Sequence, residues 1–401
     1  MNRELSKNVY LAIALLVGAN IVLSLSCVPG SDSSCTSNAD CDDGDACNGA
    51  ETCGDGVCVA GTPMDCDDGD SCTSDSCSNG VCENVDDQCP AVIYWGETIG
   101  EDCDAKQIRK MSVNGGDATN VLTLVSEDAV QGLAVDVEGG QMYWTMSGSS
   151  ANCGDRIQRA DLDGNGLESL IVFGEQPTCD SRPSPLDLAL DLPNGQFFWI
   201  ANGGCSPCGG AVCTECSVIR RANLDGTPMT DVLELTGTVN PSDIALDLEG
   251  GKMYWTDRQY MPSIFRADLD GSNMEPLIDS PDGAEEIALD LVNGKMYWIE
   301  NGGSIPCTTG CSRIRRANLD GSGDQDIVVF ENQPDFDASD FYRGLAVDPS
   351  AGKIYWGVGG FCPIEANTGR IQRADLNGDN VENVVTGLGI VYKVVVVNPS
   401  M

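Results

Sequence analysis

Short apolar segments separated by polar turns recur along residues 91–398. In one unit, four such segments cover residues 286–291, 295–299, 313–317 and 326–330. The first two segments are joined by a glycine-containing turn of the kind that is typical of hairpins. Apolar residues occur on both faces of each segment, as expected when a sheet packs between two other sheets. The pattern therefore predicts repeated four-stranded β-sheets and an all-β fold.

An aromatic pair marks the second strand of every unit, and the pairs use all six tryptophans of the chain. The pairs are Tyr94-Trp95, Tyr143-Trp144, Phe198-Trp199, Tyr254-Trp255, Tyr297-Trp298 and Tyr355-Trp356. They follow one another at intervals of 49, 55, 56, 43 and 58 residues. A period near this length, combined with short strands, is typical of propeller blades. We therefore predict a six-bladed β-propeller in which the tryptophans fill the contacts between blades.

Further residues recur at fixed places in five of the units. The first strand ends at Asp136, Asp191, Asp247, Asp290 and Asp348, and the third strand carries Arg159, Arg221, Arg266, Arg316 and Arg373. The units resemble the LDL-receptor class B (YWTD) repeat, although only residues 254–257 hold the full tetrad. The resemblance implies a six-bladed propeller of four-stranded blades. We interpret the arginines as structural pairing partners; exposed, unpaired arginines are the alternative.

The end of the chain predicts how the ring closes. Residues 342–350 line up residue for residue with 392–400, which places Lys393 opposite Arg343 in the alignment. The strand that would follow is found at residues 91–95, at the start of the repeats. The final strand should therefore become the innermost strand of blade one, so that no sheet edge stays unpaired. We assign residues 91–400 to the propeller.

A cysteine-rich module at residues 35–89 precedes the propeller. It repeats a Cys-Asp-Asp-Gly-Asp segment after about 25 residues, and it is similar to short CxDGxxCTxDxC repeats of secreted proteins. Because the module has too few apolar residues for a hydrophobic core, we expect disulfides to hold it in a defined structure. Its acidic clusters are weak Ca²⁺ candidates, although Asp and Gly also form tight turns, which is the interpretation we favour. These candidates are Asp42, Asp43, Asp45, Asp67, Asp68 and Asp70.

The first residues read as an export signal. Two cations precede an apolar stretch at residues 9–25, and Cys27 follows a small residue. This arrangement resembles a bacterial lipoprotein signal, in which residues 1–26 are removed, Cys27 is lipidated and residues 27–34 are a linker. Cleavage without lipidation and an uncleaved anchor are the alternatives. The predicted location is the bacterial cell envelope or surface; secretion is the alternative.

The chain has 62 acidic and 22 basic residues, a formal charge of −40 and no histidine. Such a charge repels nucleic acid and anionic membranes, so any membrane contact is expected through the lipid alone. Without histidine, nucleophile–His catalysis and His metal ligation are excluded. We expect a monomer without a cofactor, calcium being the one cofactor that the sequence leaves open.

Ten cysteines of the propeller are predicted on one rim, in connections between strands two and three or between blades. They are Cys103, Cys153, Cys179, Cys205, Cys208, Cys213, Cys216, Cys307, Cys311 and Cys362. Export favours disulfides over a zinc site at the two Cys-x-x-Cys pairs. The pair Cys103 and Cys362 would join adjacent blades once the ring closes.

Rigid blades with long, cross-linked loops on one rim are typical of recognition surfaces. The sequence therefore predicts an extracytoplasmic binding protein whose ligand is a protein or a glycan. Protection of the loops from proteases is an alternative role for the disulfides. A carboxylate- or metal-dependent propeller enzyme, a hydrolase or lyase, is the alternative function, because this fold hosts both classes. Carboxylates converging in the central channel would favour the enzyme.

Overall fold

The structure is a computed structural model, and the chain divides into two units, residues 1–88 and 89–401. The residues that it describes are 34–67, 73–86, 90–100, 105–124, 129–147, 155–173, 184–202, 216–236, 240–258, 263–279, 282–301, 312–333, 337, 340–359 and 368–398. No helix of the described residues is long and apolar enough to cross a membrane.

The first unit contains one turn of 3-10 helix and two hairpins. The helical turn is Asn38–Asp40, and the strands are β1 (Thr52–Gly54), β2 (Val57–Val59), β3 (Thr73–Ser78) and β4 (Val81–Asp86). β1 pairs with β2 and β3 pairs with β4. Both hairpins turn through two residues with positive φ, Asp55-Gly56 in the first and Asn79-Gly80 in the second. The internal repeat of the sequence is therefore a repeat of one hairpin with a tight turn of mirror-image type.

Disulfides hold this unit together, as its composition predicts. One bond recurs at the same place in both repeats, and another joins the repeats to each other. The four bonds of the described residues are Cys35–Cys53, Cys41–Cys58, Cys47–Cys77 and Cys66–Cys82. The sulfurs of Cys35, Cys41 and Cys58 lie within 4.8 Å of one another, but all three are in disulfides and do not form a thiolate metal site. Cys72 and Cys89 lie outside the described residues.

The second unit is a six-bladed propeller of four-stranded antiparallel sheets, which confirms the predicted fold. Blade one comprises β5 (Val92–Ile99), β6 (Ala105–Ser112), β7 (Thr119–Leu124) and β28 (Ile390–Val397). Blade two comprises β8 (Ala129–Asp136), β9 (Gln141–Ser147), β10 (Arg156–Asp161) and β11 (Glu168–Val172). Blade three comprises β12 (Ser184–Asp191), β13 (Gln196–Asn202), β14 (Cys216–Asn223) and β15 (Thr230–Thr236).

The remaining three blades repeat the same strand order. Blade four comprises β16 (Pro241–Asp247), β17 (Lys252–Asp257), β18 (Ile264–Asp268) and β19 (Glu275–Ile278). Blade five comprises β20 (Glu286–Asp290), β21 (Lys295–Glu300), β22 (Arg313–Asn318) and β23 (Gln325–Val329). Blade six comprises β24 (Phe341–Asp348), β25 (Lys353–Gly359), β26 (Gly369–Asp375) and β27 (Glu382–Leu388). Short 3-10 turns lie at Leu192–Asn194 and Phe330–Asn332.

The core lies between neighbouring blades. All six tryptophans are fully buried. In one interface, Phe198 and Ile200 of blade three pack against Ile244 and Trp255 of blade four. Because each sheet is covered on both faces by other sheets, its strands need apolar residues on both faces. The predicted placement of the tryptophans between blades is therefore confirmed.

Cations of the third strands tie successive blades together. Each reaches the backbone carbonyl in the turn after the third strand of the next blade. These bonds are Lys110–Leu162, Arg159–Leu224, Arg266–Leu319, Arg316–Leu376 and Arg373–Val113, at 2.9–3.2 Å. Arg221 makes no such bond among the described residues. Four of the five arginines thus have structural partners, as predicted. The aspartates that recur with them accept hydrogen bonds within their own turns, as Asp247 does from the N–H of Gly250 at 2.7 Å.

The last strand closes the ring as predicted. β28 pairs with β5, with Val395 opposite Tyr94 and Val394 opposite Trp95. The residue-for-residue alignment of the chain end holds at Lys393 and Arg343, which pair with the glycine after the tryptophan of their blades. It is wrong by one position on both sides of this pair, so that Lys393 and Gly344 each lie two residues before the residue that faces the tyrosine. The irregularities of register fall at different places in the two inner strands, which an ungapped alignment does not detect.

Candidate functional site in the central channel

The six inner strands surround the central channel, and one position recurs on all of them. It lies two residues before the residue that pairs with the Tyr or Phe of the aromatic pair. The residues at this position are Gly132, Asp187, Asp243, Glu286, Gly344 and Lys393. We call these six residues the channel ring. Three consecutive blades contribute carboxylates, and the strand that closes blade one contributes the single cation.

The ammonium of Lys393 is surrounded by the three carboxylates of the channel ring. Its Nζ lies 2.5 Å from Asp243 Oδ1, 3.1 Å from Asp187 Oδ2 and 3.5 Å from Glu286 Oε2. All four side chains are buried. Blade one is not adjacent to blades three, four or five, so these contacts place the ammonium near the channel axis.

Backbone amides of the next blade position two of the carboxylates. The N–H of Ile244 donates to Asp187 Oδ2 over 3.3 Å, and the N–H of Ile287 donates to Asp243 Oδ2 over 2.8 Å. Each donor directly follows the channel-ring residue of its own blade. The carboxylates are therefore held in place by the sheets themselves, independently of Lys393.

Burial and neighbouring charges shift the pKa values of the carboxyl groups in this cluster in different directions. Burial, reinforced by the neighbouring Asp243 carboxylate, raises the pKa of Asp187 well above its ordinary value. Burial also raises the pKa of Glu286, to about 8. Burial acts in the same direction on Asp243, but the ammonium of Lys393 and hydrogen bonds outweigh it and lower the pKa of that group. The pKa of Lys393 is raised because three carboxylates outweigh its own burial.

Two oxygens of the channel ring are left without a hydrogen bond among the described residues, Asp187 Oδ1 and Glu286 Oε2. The second lies in ion-pair range of Lys393 without a hydrogen-bond geometry. Both residues line a small cavity of about 20 Å³, which is room for about one water molecule. The residues around it are Gln131, Leu186, Asp187, Ser242, Asp243, Arg258, Glu286, Arg343, Tyr392 and Lys393.

Two arginines lie at the mouth of this cavity. The guanidinium carbon of Arg343 lies 4.5 Å from the ring centre of Phe341 and 5.1 Å from that of Tyr392. Its Nε is buried and has no acceptor among the described residues. Arg258 lines the same cavity and is exposed. Neither arginine forms an ion pair with a described carboxylate, so the mouth presents positive charge on a strongly acidic chain.

The geometry limits the chemistry of the channel ring. Three carboxylates do converge there, which is the arrangement that a carboxylate-dependent hydrolase or lyase would use. The position at their centre, however, is filled by the ammonium of Lys393. The cavity beside them has room for about one water, so an organic substrate does not fit next to the carboxylates.

The decisive comparison concerns the blade with the full tetrad. Residues 251–283 match the family model described as low-density lipoprotein receptor repeat class B. The blade with the tetrad therefore carries a repeat of this kind, and we refer to the second unit as the class B propeller after that blade. Its relatives include low-density lipoprotein receptor-related protein 1 of Pyricularia oryzae, 28% identical over 208 residues, 48% of this chain and 63% of the relative. They also include low-density lipoprotein receptor-related protein 5 of Mus musculus, 27% identical over 169 residues, 42% of this chain and 9% of the relative.

Solved structures share the fold of this class B propeller. A chain of a nidogen/laminin complex matches with a TM-score of 0.54 and 18% identity, over 76% of this chain and 97% of that chain. TolB from Acinetobacter baumannii matches with a TM-score of 0.56 and 12% identity, over 76% of this chain and 66% of that chain. At these identities the likeness concerns the fold alone. The chain covers less than two thirds of the length of either receptor-related relative above.

The acidic clusters predicted from the sequence belong to the first unit and serve local turns. Asp42 Oδ1 accepts the N–H of Gly44, Asp43 Oδ1 that of Asp45, and Asp45 Oδ1 that of Cys47, each at 2.9 Å. These hydrogen bonds are those of Asx turns, the interpretation favoured by the sequence. Asp67 donates its own N–H to Asp65 Oδ1 at 3.2 Å, and Asp68 and Asp70 lie outside the described residues.

The predicted disulfide positions of the class B propeller mostly lie outside the described residues. Of the ten cysteines, only Cys216 has a described backbone, and it is the first residue of β14, paired with Thr236. The sequence predicts Cys216 within the connection between strands two and three. The structure instead places it at the start of the third strand. A strand boundary is not visible in the sequence here, because Cys216-Ser217-Val218 continues the polar loop without a break.

The sequence prediction missed the channel ring of the class B propeller. One signal was present: a charged residue directly precedes the apolar run of the first strand in blades three, four and five, as in Leu186-Asp187-Leu188. In a strand that is covered on both faces, a charge at this place needs a buried partner. Lys393 could not be assigned as that partner, because 150 residues separate it from Asp243.

Proposed function

We propose that this protein binds a protein or glycan ligand outside the cytoplasm through one rim of its propeller. This is the rim from which the connections between strands two and three, and those between blades, emerge; we call it the loop-bearing rim. The receptor-related relatives favour a protein as the ligand. The proposal includes the class of partner, the location outside the cytoplasm and a monomeric state of the protein.

The observation that carries the proposal is the placement of unpaired positive charge on this rim. Leu186, Ser242 and Arg343 stand one residue nearer to the rim than the channel-ring residues of their strands, so the cavity mouth faces the loop-bearing rim. Arg343 forms no ion pair there with a described carboxylate, and Arg258 lies beyond ion-pair distance of Glu286, on which its charge acts. A half-buried guanidinium that stacks on aromatic rings, and whose Nε lacks an acceptor among the described residues, is suited to pair with a carboxylate. We therefore infer that the ligand presents an acidic group to this mouth.

The enzyme alternative has less support. It would need the channel carboxylates to reach a substrate or a metal, but the ammonium of Lys393 lies between them at 2.5–3.5 Å. The fixed positive charge of this ammonium repels a metal cation at that distance, which opposes its binding. The convergence of carboxylates in the channel thus serves an internal ion cluster, and binding is the function that we propose.

Substitution of Arg343 tests where binding occurs. We expect Arg343→Ala to weaken ligand binding about tenfold, since an arginine at the centre of an interface is a frequent hot spot. The probe is a peptide array in which each peptide that contains Asp or Glu is paired with its Asn or Gln counterpart. The full-length protein should prefer the acidic members, and Arg343→Ala should lose that preference.

Arg221→Ala is the matched control, because it removes the same charge near the opposite rim. Shortening residues 203–215 is a second change on the loop-bearing rim; these residues lie outside the described part of the chain. It should weaken binding while the thermal unfolding of the propeller stays unchanged. Binding that survives both rim changes and is lost in Arg221→Ala would show that the opposite rim is the ligand face.

Lipidation of Cys27 is the proposed means of attachment, at residues outside the described part. The mass of the mature N-terminal peptide should correspond to Cys27 with attached acyl chains. Cys27→Ser should release the protein from the membrane fraction, because the lipid supplies the anchoring free energy. An unmodified Cys27, or a mature N-terminus elsewhere, would contradict the assignment and favour plain cleavage or an uncleaved anchor.

A further inference from the structure

The channel ring has the composition and the geometry of a cation site. Three carboxylates from three consecutive blades point at one atom, Lys393 Nζ, from 2.5, 3.1 and 3.5 Å. Carboxylate oxygens are the ligands that Ca²⁺ prefers in proteins. The hydrogen bonds from Ile244 and Ile287 hold two of the carboxylates in place from the backbone, so this arrangement does not depend on the ammonium.

Unused ligand capacity is a second, independent observation. Asp187 and Glu286 are 4% and 7% exposed, and each has one oxygen without a hydrogen-bond partner among the described residues. Buried carboxylate oxygens in this state are rare because their desolvation is not compensated. Both residues line the cavity that Lys393 also lines. Asp187 Oδ1 has no partner and Glu286 Oε2 faces the ammonium at 3.5 Å, so both oxygens could coordinate a cation placed there.

The glycines of the channel ring are packed closely against their neighbours. A Cβ atom at Gly132 would lie 2.6 Å from Asp187 Oδ1, the oxygen without a partner. A Cβ atom at Gly344 would lie 2.5 Å from the backbone nitrogen of Val394, next to Lys393. A side chain at either position would press on the carboxylate or on the strand that carries the ammonium. Glycine at these two positions therefore allows the carboxylate and the ammonium to keep the observed arrangement.

We propose that the channel ring is a divalent-cation site whose place is taken by the protein's own Lys393, and that removal of this ammonium allows Ca²⁺ to bind there. In the native chain, the tethered ammonium pairs with the carboxyl groups of the channel ring at the position that a bound cation would take. Because Lys393 lies on the strand that closes blade one, ring closure then becomes independent of the Ca²⁺ concentration. This inference does not rest on the proposed ligand-binding function.

Lys393→Met in the full-length protein tests the proposal. Methionine has a similar length but no charge, so the three carboxylates keep their positions and lose their counterion. We expect the propeller of this variant to unfold at a lower temperature than the native one in EDTA, and to regain stability as Ca²⁺ rises into the millimolar range. Tryptophan fluorescence reports this unfolding, and calorimetry should show one additional Ca²⁺ site relative to the native protein.

The native protein and a double variant are the controls. The native protein measures Ca²⁺ bound elsewhere on this acidic chain, including the N-terminal module, at matched ionic strength. Lys393→Met combined with Asp243→Asn removes the carboxylate closest to the ammonium and should weaken the added Ca²⁺ site at least about tenfold. The proposal is overturned if Ca²⁺ changes the stability of Lys393→Met no more than that of the native protein and if the two proteins bind the same number of Ca²⁺ ions.

Failure of Lys393→Met to fold would not end the test. The variant would then be refolded in EDTA and in Ca²⁺. Recovery of folded protein in Ca²⁺ alone supports the proposal. If neither condition yields folded protein, the milder Lys393→Gln variant is titrated with Ca²⁺, and the absence of added stabilisation in that variant rejects the proposal.

Discussion

A chain that ends at Leu388 is expected not to form the propeller. The truncation removes β28, whose Val391 and Val394 are each 1% exposed. Each buried valine contributes about 1.5–3 kcal/mol. Loss of Lys393 also leaves three buried carboxylates without their cation, and breaking a buried ion pair costs about 3–5 kcal/mol. Together these losses are comparable with the total stability of about 5–15 kcal/mol that is usual for a folded domain.

Near-UV circular dichroism should show this outcome as a loss of the signal of the buried tryptophans. A chain that ends at Asn398 is the control, because it keeps all of β28 and should unfold like the full-length protein. A synthetic peptide of residues 389–398 should restore the signal when it is added to the truncated chain. A truncated chain with native circular dichroism and a native unfolding midpoint would show that blade one is stable with three strands.

Trp255→Ala is expected to lower the free energy of unfolding of the propeller by about 3–5 kcal/mol. Trp255 is fully buried and stacks on Phe265 with ring centres 5.6 Å apart. It also fills the interface with blade three through Phe198 and Ile200. Alanine would leave a cavity between two rigid sheets, which have little freedom to collapse into it. Denaturant unfolding followed by circular dichroism measures the change.

Two Trp→Phe variants separate packing from hydrogen bonding. The indole N–H of Trp255 has no acceptor among the described residues, whereas that of Trp298 donates to the buried Glu300 Oε1 at 2.8 Å. Trp298→Phe should therefore cost about 1–3 kcal/mol more than Trp255→Phe, because it removes a partner from a buried carboxylate. Equal costs for the two variants would mean that Arg313 and Arg315, which also bond Glu300, fully compensate.

The fold could be predicted because each blade repeats its own local signals. The aromatic pair at Tyr254-Trp255 and the glycine turn at Gly251 occur within a single hairpin, and equivalent segments recur in the other blades. Strand pairing between sequence neighbours needs no long-range information. Ring closure was also predictable, because the first and the last segments of the repeat complete one blade.

The channel ring could not be predicted in the same way. Its charged residues belong to four blades, and their contact depends on the radius of the ring and on the register of each inner strand. An ungapped alignment did not show this register, because the irregularities of β24 and β28 fall at different places. The charged mouth depends on the same geometry, since Arg258 directly follows the second strand of blade four and Arg343 belongs to the inner strand of blade six.

The sequence alone determined the number of blades, the four strands of each blade, the burial of the tryptophans and the disulfide character of the N-terminal module. These properties follow from periodic patterns and cysteine counts, which are local or additive along the chain. Only the tertiary structure decided that Asp187, Asp243 and Glu286 meet around Lys393. Four distant residues become neighbours only when the six blades close into a ring, and the burial and charge contacts that shift the pKa values of these groups exist only in that closed state.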